Sequence, residues 1–274
     1  MNCFIDESVH RNLGFAASAF VFSSSDLDVH IAEVLQRRGL DPRRDEFKSG
    51  ARMVGNAPLQ EIRADLFDLI RRHTHLAVVF GPTDRGGRLG RHCLQALQSV
   101  LVRNGISPVD LNVFFDNGIF PSQAEARALW SLYSFLAPAD FHPAEDSRVC
   151  RGIQAADLAA HTFAQVLRDE LLPEPRRVAF DPDFPGEPPG SLRLSMLLLG
   201  NIRRAVLSRR IVVGGEHYDP ATDPVVFGPD DDFTVYGAEP EVFGWGVQVA
   251  TEASEDLRRA VRNSLDRIWL GCMH

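Results

Sequence analysis

The chain has 274 residues, 45% of them hydrophobic, and a formal net charge of -8 at pH 7. Such a length and apolar content suffice for one large core, or one core with an appendage, while the acidic balance speaks against a general nucleic-acid coat, since such proteins tend to be basic. No basic stretch leads into an apolar one at the start, no apolar run approaches bilayer length, and Cys3, Cys93, Cys150 and Cys272 form no CxxC pair; the expectation is a cytoplasmic protein with reduced, mostly buried thiols, no zinc site, no disulfide framework and no membrane partner.

The first element is a short apolar run, residues 2–5, that ends in Asp6, Glu7 and Ser8. It reads as a strand carrying carboxylates at its C-terminal end, where a rigid backbone can aim them at a ligand. Residues 13–22 (LGFAASAFVF) read as its antiparallel partner in a hairpin. Ser24, Ser25 and Asp26 supply an N-cap, after which Val29, Ile31, Val34 and Leu35 fall at helical spacing until Gly39 and Pro42. In residues 43–50 (RRDEFKSG), an extended backbone would turn Glu46 and Lys48 to one face and Phe47 to the other. Lys48 is the only lysine in a chain that otherwise uses arginine, which suits a compact ammonium placed on a phosphate, or simply a solvated charged edge.

A helix follows over residues 59–72, with Leu59, Ile62, Leu66, Leu69 and Ile70 on its apolar face, and then a buried strand over residues 75–80. The glycine-rich stretch 81–90 (GPTDRGGRLG) leads into a helix through residue 102; it matches neither the dinucleotide fingerprint nor the P-loop lysine motif and reads as a loop. Residues 110–116 (DLNVFFD) form a second strand ending in a carboxylate, Asp116, before Asn117 and Gly118 turn the chain into a helix over residues 121–135. A short strand and loop occupy residues 141–150. In the next helix, from Gly152, the apolar stripe is Ile153, Ala156, Ala160, Phe163, Ala164 and Leu167. Asp157 lies at the border of that packed face, where an ionised carboxylate is costly unless a cation or hydrogen-bond donors meet it.

Four carboxylates thus stand out: Asp6, Glu46, Asp116 and Asp157. Their order and settings resemble the acidic constellation of the ribonuclease H-like fold. The runs FIDES (residues 4–8), EFKS (46–49), FFD (114–116) and GIQAADLAAH (152–161) are similar to the domain-of-unknown-function 3800 family, over about residues 3 to 170. FIDES and IQAADLAA are the most specific of these; Val9 departs from the glycine that often follows the DES triplet in similar proteins. The resemblance implies an RNase H-like α/β fold, a mixed β-sheet flanked by helices, and a metal-dependent nuclease. A nest of Asp and Glu suits hard cations such as Mg²⁺ or Mn²⁺, and a pair of such ions can activate water and neutralise the charge of a phosphodiester under attack. On that reading Asp6, Glu46, Asp116 and Asp157 hold metal, Lys48 contacts a phosphate, and His161, one helical turn past Asp157, takes part in proton transfer. Glu7 and Ser8 support the site through hydrogen bonds or only form the turn.

Beyond residue 172 the character changes. A core of residues 1–172 is followed by a proline-rich connecting loop, 173–190, and a C-terminal addition, 191–274, with a helix over 192–207, short strands near 211–213, 225–227, 233–236 and 246–250, acidic turns at 219–220 and 229–232, and a last helix over 254–270 capped by Ser254. Arg203, Arg204, Arg209 and Arg210 suit the negative end of a helix dipole or a phosphate backbone. The addition is expected to pack on the core as a substrate lid or homodimer contact. The expected function is metal-dependent hydrolysis of DNA or RNA; the alternatives are a non-catalytic protein that binds nucleic acid or a partner, and a small-molecule phosphohydrolase.

Overall fold

The structure, a computed structural model, describes residues 1–83, 88–180, 190–207, 211–213, 216–218, 241–243 and 246–269. Outside the described residues lie the centre of the glycine-rich stretch (84–87), the strands expected at 225–227 and 233–236, both acidic turns, Arg209, Arg210, Cys272 and most of the prolines of the connecting loop.

The chain opens with β1 (Asn2–His10), and a 3₁₀ turn leads it into β2 (Phe15–Ser23) through Gly14, whose φ of 74° calls for glycine. Next come α1 (Leu27–Arg37), α2 (Ala57–His73), β3 (His75–Pro82), α3 (Arg88–Arg103), β4 (Asn112–Asp116), α4 (Gln123–Trp130), β5 (Asp140–Glu145) and α5 (Gly152–Leu171). The C-terminal part comprises β6 (Arg177–Phe180), β7 (Gly190–Arg193), α6 (Leu194–Ile202), β8 (Ile211–Val213), β9 (Glu216–Tyr218), β10 (Glu241–Phe243), β11 (Val247–Val249) and α7 (Glu255–Trp269). The main sheet is seven-stranded and mixed, in the order β10-β11-β3-β2-β1-β4-β5. β1, β2 and β3 pair antiparallel, whereas β1–β4, β4–β5 and β3–β11 pair parallel.

Strand alternation divides the interior between two faces. Phe4, Ala17, Ala19, Val21, Val78 and Phe80 pack towards α1, α2, α5, α6 and α7. Cys3, Ile5, Phe20, Phe22, Ala77 and Val79 pack towards α3 and α4. The chain is therefore a mixed α/β protein with helices on both faces of its sheet, and among the described residues no helix is long and apolar enough to cross a membrane. Cys3, Cys93 and Cys150 are free and buried.

Several boundaries differ from the sequence reading. β1 does not stop at its acidic residues: it runs to His10, paired with β2 throughout, so Val9 sits in a strand and the turn is made by Arg11–Leu13. Val29 is exposed, while Leu27 takes the inward position on α1. The helix expected over 121–135 covers only Gln123–Trp130, and Ser131 beyond it donates its hydroxyl to the Ala128 carbonyl. The stretch from Arg177 to Phe180, free of proline, pairs as β6 with β7 inside what reads as a connecting loop. Because β7 takes residues up to Arg193, the helix expected from 192 begins at Leu194 and closes in a 3₁₀ turn containing Arg203 and Arg204.

Candidate functional site

The site grows from the place where β1 outruns β4. Their parallel register runs from Asn2 opposite Asn112 to Ile5 opposite Phe115. Asp6 and Asp116 are the next residues on each strand, and both point to the α5 face, as Phe4 and Phe114 do two residues earlier. Neighbouring strands lie about 5 Å apart, so the two carboxylates come out side by side. Asp6 is thus in the middle of an inner strand, 6% exposed, rather than at a strand end; the end belongs to the neighbour that leaves it uncovered.

α5 brings the third carboxylate. Gly152 allows its first turn to settle on the Phe4 ring: a Cβ there would fall 2.4 Å from the ring carbons. The Gly152 amide is capped by Asp28 Oδ1 at 2.8 Å. With its start fixed above Phe4, the helix carries Asp157, half-buried, past Asp6. The fourth carboxylate comes from the segment between α1 and α2. Phe47 is fully buried, Ser49 is buried, and Glu46 and Lys48 face outwards, the alternation expected of an extended backbone.

α5 holds that segment with two polar side chains three residues apart. Gln154 Oε1 accepts from the Phe47 amide at 2.9 Å while its Nε2 donates to the Ser147 carbonyl at 2.8 Å. Asp157 accepts from the Ser49 amide at 2.8 Å and from the Ser49 hydroxyl at 2.6 Å. Ser147 donates its hydroxyl to Glu46 Oε2, and Lys48 Nζ lies 3.3 Å from both that oxygen and Ser147 Oγ.

The electrostatics follow from crowding like charges at a half-buried spot. Burial raises Asp6 well above the usual carboxylate range, and Glu7, Asp116 and Asp157 push it further; the Glu7 amide, donating to Asp6 Oδ1 at 2.7 Å, opposes them. Burial, then Asp116, lifts Glu7 to about 7. Asp116 is raised by burial, held back by Lys48 and raised again by Asp157 and Glu46. For Lys48 burial works against the charge, but Glu46, and then Asp157 and Asp116, keep the ammonium above its ordinary value. The structure therefore brings Asp6, Glu46, Asp116, Asp157 and Lys48 into one neighbourhood and adds Glu7. His161 stands at its margin: burial lowers its pKa, Asp157 opposes that, and His10, Arg63 and Arg168 add to the lowering. Ser8 does not join the carboxylates; its hydroxyl lies 3.3 Å from His10 Nε2.

As a donor set these residues suit a hard divalent cation in kind, being all oxygen, and Glu7 Oε2 is buried without a hydrogen-bond partner among the described residues. In position, each carboxylate is drawn to its own partner, and among the described residues no three Asp, Glu, His or Cys side chains converge closely enough to hold a metal ion.

The chain matches no family model, no curated protein and no solved structure. Its site is therefore read from its own residues. Three of them, Ser49, Ser147 and Gln154, are not singled out as site residues by the sequence, although Ser49 and Gln154 lie within the EFKS and GIQAADLAAH runs. Gln154 carried a signal there, as an amide among the apolar residues that open α5; Ser147 carried none, because only the fold sets it beside Glu46.

Proposed function

We propose that the protein is a metal-dependent phosphodiesterase acting on nucleic acid, of the RNase H-like kind that the resemblance to the domain-of-unknown-function 3800 family implies. The observation that carries this reading is that Asp6, Glu46, Asp116 and Asp157, from four separate stretches of chain, share one neighbourhood with a single lysine. The mixed sheet, with its antiparallel opening hairpin followed by crossover-connected parallel strands, supports the fold side of the proposal. Burying several carboxylates together is costly without a compensating charge, and stability alone offers no reason for it.

Asp6, Glu46, Asp116 and Asp157 would hold Mg²⁺ or Mn²⁺, with Glu7 adjoining. A bound divalent ion supplies charge neutralisation at the phosphoryl oxygens and a more acidic water. Asp6 and Asp116 are aimed by the sheet and Asp157 by α5. Ser49 orients the Asp157 carboxylate, and Ser147 orients that of Glu46. Lys48, cationic throughout the neutral range, is placed to meet a phosphate oxygen. His161, kept neutral by burial, can take up a proton at a ring nitrogen.

The test is incubation of the protein with labelled single- and double-stranded DNA and RNA in Mg²⁺, Mn²⁺ or chelator. Cleavage should require metal, and Asp6→Ala or Asp157→Ala should lower it ~10²–10³-fold, on the order expected for removal of a group that stabilises charge in the transition state, with the fold retained by circular dichroism. Full activity in either variant would reject the site.

A second reading is favoured by the separate partners of the four carboxylates: a non-catalytic protein that binds nucleic acid. It predicts salt-sensitive binding that needs no metal, measurable by calorimetry in chelator, and no cleavage under any of these conditions.

A further inference from the structure

Past the carboxylates, the side chains between β1 and α5 change sign. Alternation along β1 turns His10 to the α5 face, as it does Asp6 and Ser8. The His10 ring lies on the Phe15 ring, with centroids 5.0 Å apart, and its Nε2 is 3.3 Å from Ser8 Oγ. On α5, His161 and Arg168 follow Asp157 at about one and three whole turns, so the three share one stripe of the helix. Arg63 comes from α2. Burial and then Arg168 lower the pKa of His10; on His161, after burial and against Asp157, His10, Arg63 and Arg168 act in the same direction. Four basic side chains from three elements therefore lie within reach of one another's fields.

All four are half-buried, a setting in which a cation ordinarily meets a carboxylate. Here Arg168 donates only to Gln165 Oε1, at 3.4 Å, and Arg63 makes no hydrogen bond or ion pair among the described residues. The nearby acids are committed elsewhere. On α2, Glu61 and Asp65 are taken by Arg38, and Asp68 by Arg71 and Arg72. On α5, Asp157 holds Ser49, while Asp169 and Glu170 face α6. Two guanidiniums left without a carboxylate, in a chain of net charge -8, suit an anion, and a guanidinium fork matches the oxygens of a phosphate. His10 is about 13 Å along β1 from Asp6, and Arg168 about 16 Å along α5 from Asp157, too far to share the phosphate held at the carboxylates. We propose that His10, Arg63 and Arg168 form a second phosphate subsite, which holds another phosphate of the substrate strand. The inference rests on the nuclease reading and deepens it by setting the strand's course from the carboxylates towards the C-terminal end of α5.

The test is fluorescence anisotropy of short labelled single-stranded DNA and RNA titrated with the full chain over a range of salt, in chelator and again in Ca²⁺, which takes oxygen ligands as Mg²⁺ does. Arg63→Gln and Arg168→Gln should each weaken binding about tenfold and make the slope of log affinity against log salt shallower by about 0.7, the value for one phosphate contact on a single strand. Arg168→Lys should keep the slope, since the charge remains, and all three variants should melt like the wild type. A single methylphosphonate, which removes one phosphate charge, should reproduce the loss at one position of the strand and make Arg168→Gln silent there. Absence of binding in both media, slopes unchanged in the glutamine variants, or a slope lost equally in Arg168→Lys would overturn the assignment. So would inorganic phosphate whose binding depends on Arg168 while that of the strand does not, which would make this a site for a free anion. Cleavage is not read in this experiment, so failure of the nuclease reading appears in the cleavage assay and failure of the subsite appears here.

Discussion

Asp6 occupies the least favourable setting of any carboxylate in the site: an inner strand, 6% exposed, with Glu7, Asp116 and Asp157 all raising its pKa after burial has done so. A carboxyl whose folded pKa exceeds its unfolded value binds its proton more tightly in the folded chain. Its contribution to stability is fully present below about pH 4 and is lost as pH rises through the folded value, about 7 for Glu7. The ionised cluster is thus a burden above neutrality. In chelator at pH 8, Asp6→Asn should melt above the wild type, and the gap should narrow at pH 5. A variant that melts below the wild type at pH 8 would show that the Asp6 carboxylate is instead well compensated. Asp6 was legible in the sequence as a candidate because an acidic pair closes an apolar run. Its mid-strand position was not, since where one strand outlasts its neighbour depends on the length of β4, more than 100 residues away.

Among the elements, α5 does the most to assemble the site. It seats Gly152 on Phe4, brings Asp157 over Asp6 and grips the segment from Glu46 to Ser49 through Gln154 and Asp157. The periodicity of its alanines marked the buried face and singled out Asp157, but no pattern in the sequence links residue 154 to residue 47. Replacing Gln154 by Ala leaves the Phe47 amide and the Ser147 carbonyl unsatisfied inside the protein, at about 1–3 kcal/mol for each buried group. Gln154→Ala should therefore lower unfolding free energy by ~2–4 kcal/mol in urea denaturation and speed exchange of the Phe47 amide, with turnover falling about tenfold or more as Glu46 and Lys48 lose their placement. Unchanged protection at Phe47 would mean that the segment is held by the burial of its phenyl ring alone.

For the whole molecule the C-terminal residues complete the sheet. β11 pairs with Val78, Val79 and Phe80, and the earlier part of β3 is met by Leu207, whose amide donates to the Leu76 carbonyl at 2.8 Å. Gln248 Nε2 reaches across to the Ala96 carbonyl at 3.1 Å, tying β11 to α3, while Leu257 and Val261 of α7 join the core shared with α5. A chain ending at residue 207 would leave the Val78–Phe80 stretch of β3 as a bare edge beside uncovered apolar surface. It should aggregate or lose cooperative unfolding, as judged by size-exclusion chromatography and thermal melting; a monomeric truncation with a sharp melt would show that the first 207 residues fold alone. Two short strands of the C-terminal part, β10 and β11, thus belong to the main sheet itself.

Local chemistry, which the sequence states outright, determined the opening hairpin, the capping of α1 by Asp26 and of α7 by Ser254, the buried faces of α2 and α5, and the residue types fit for a hard cation. Only the tertiary structure decided which carboxylates meet, that Ser147 and Gln154 hold two of the groups between them, and that His10, Arg63 and Arg168 draw together. Helix periods and caps depend on residues a few positions apart. The register of β1 against β4 and the seating of α5 on Phe4 depend on contacts between residues over 100 positions apart, and no local pattern carries them.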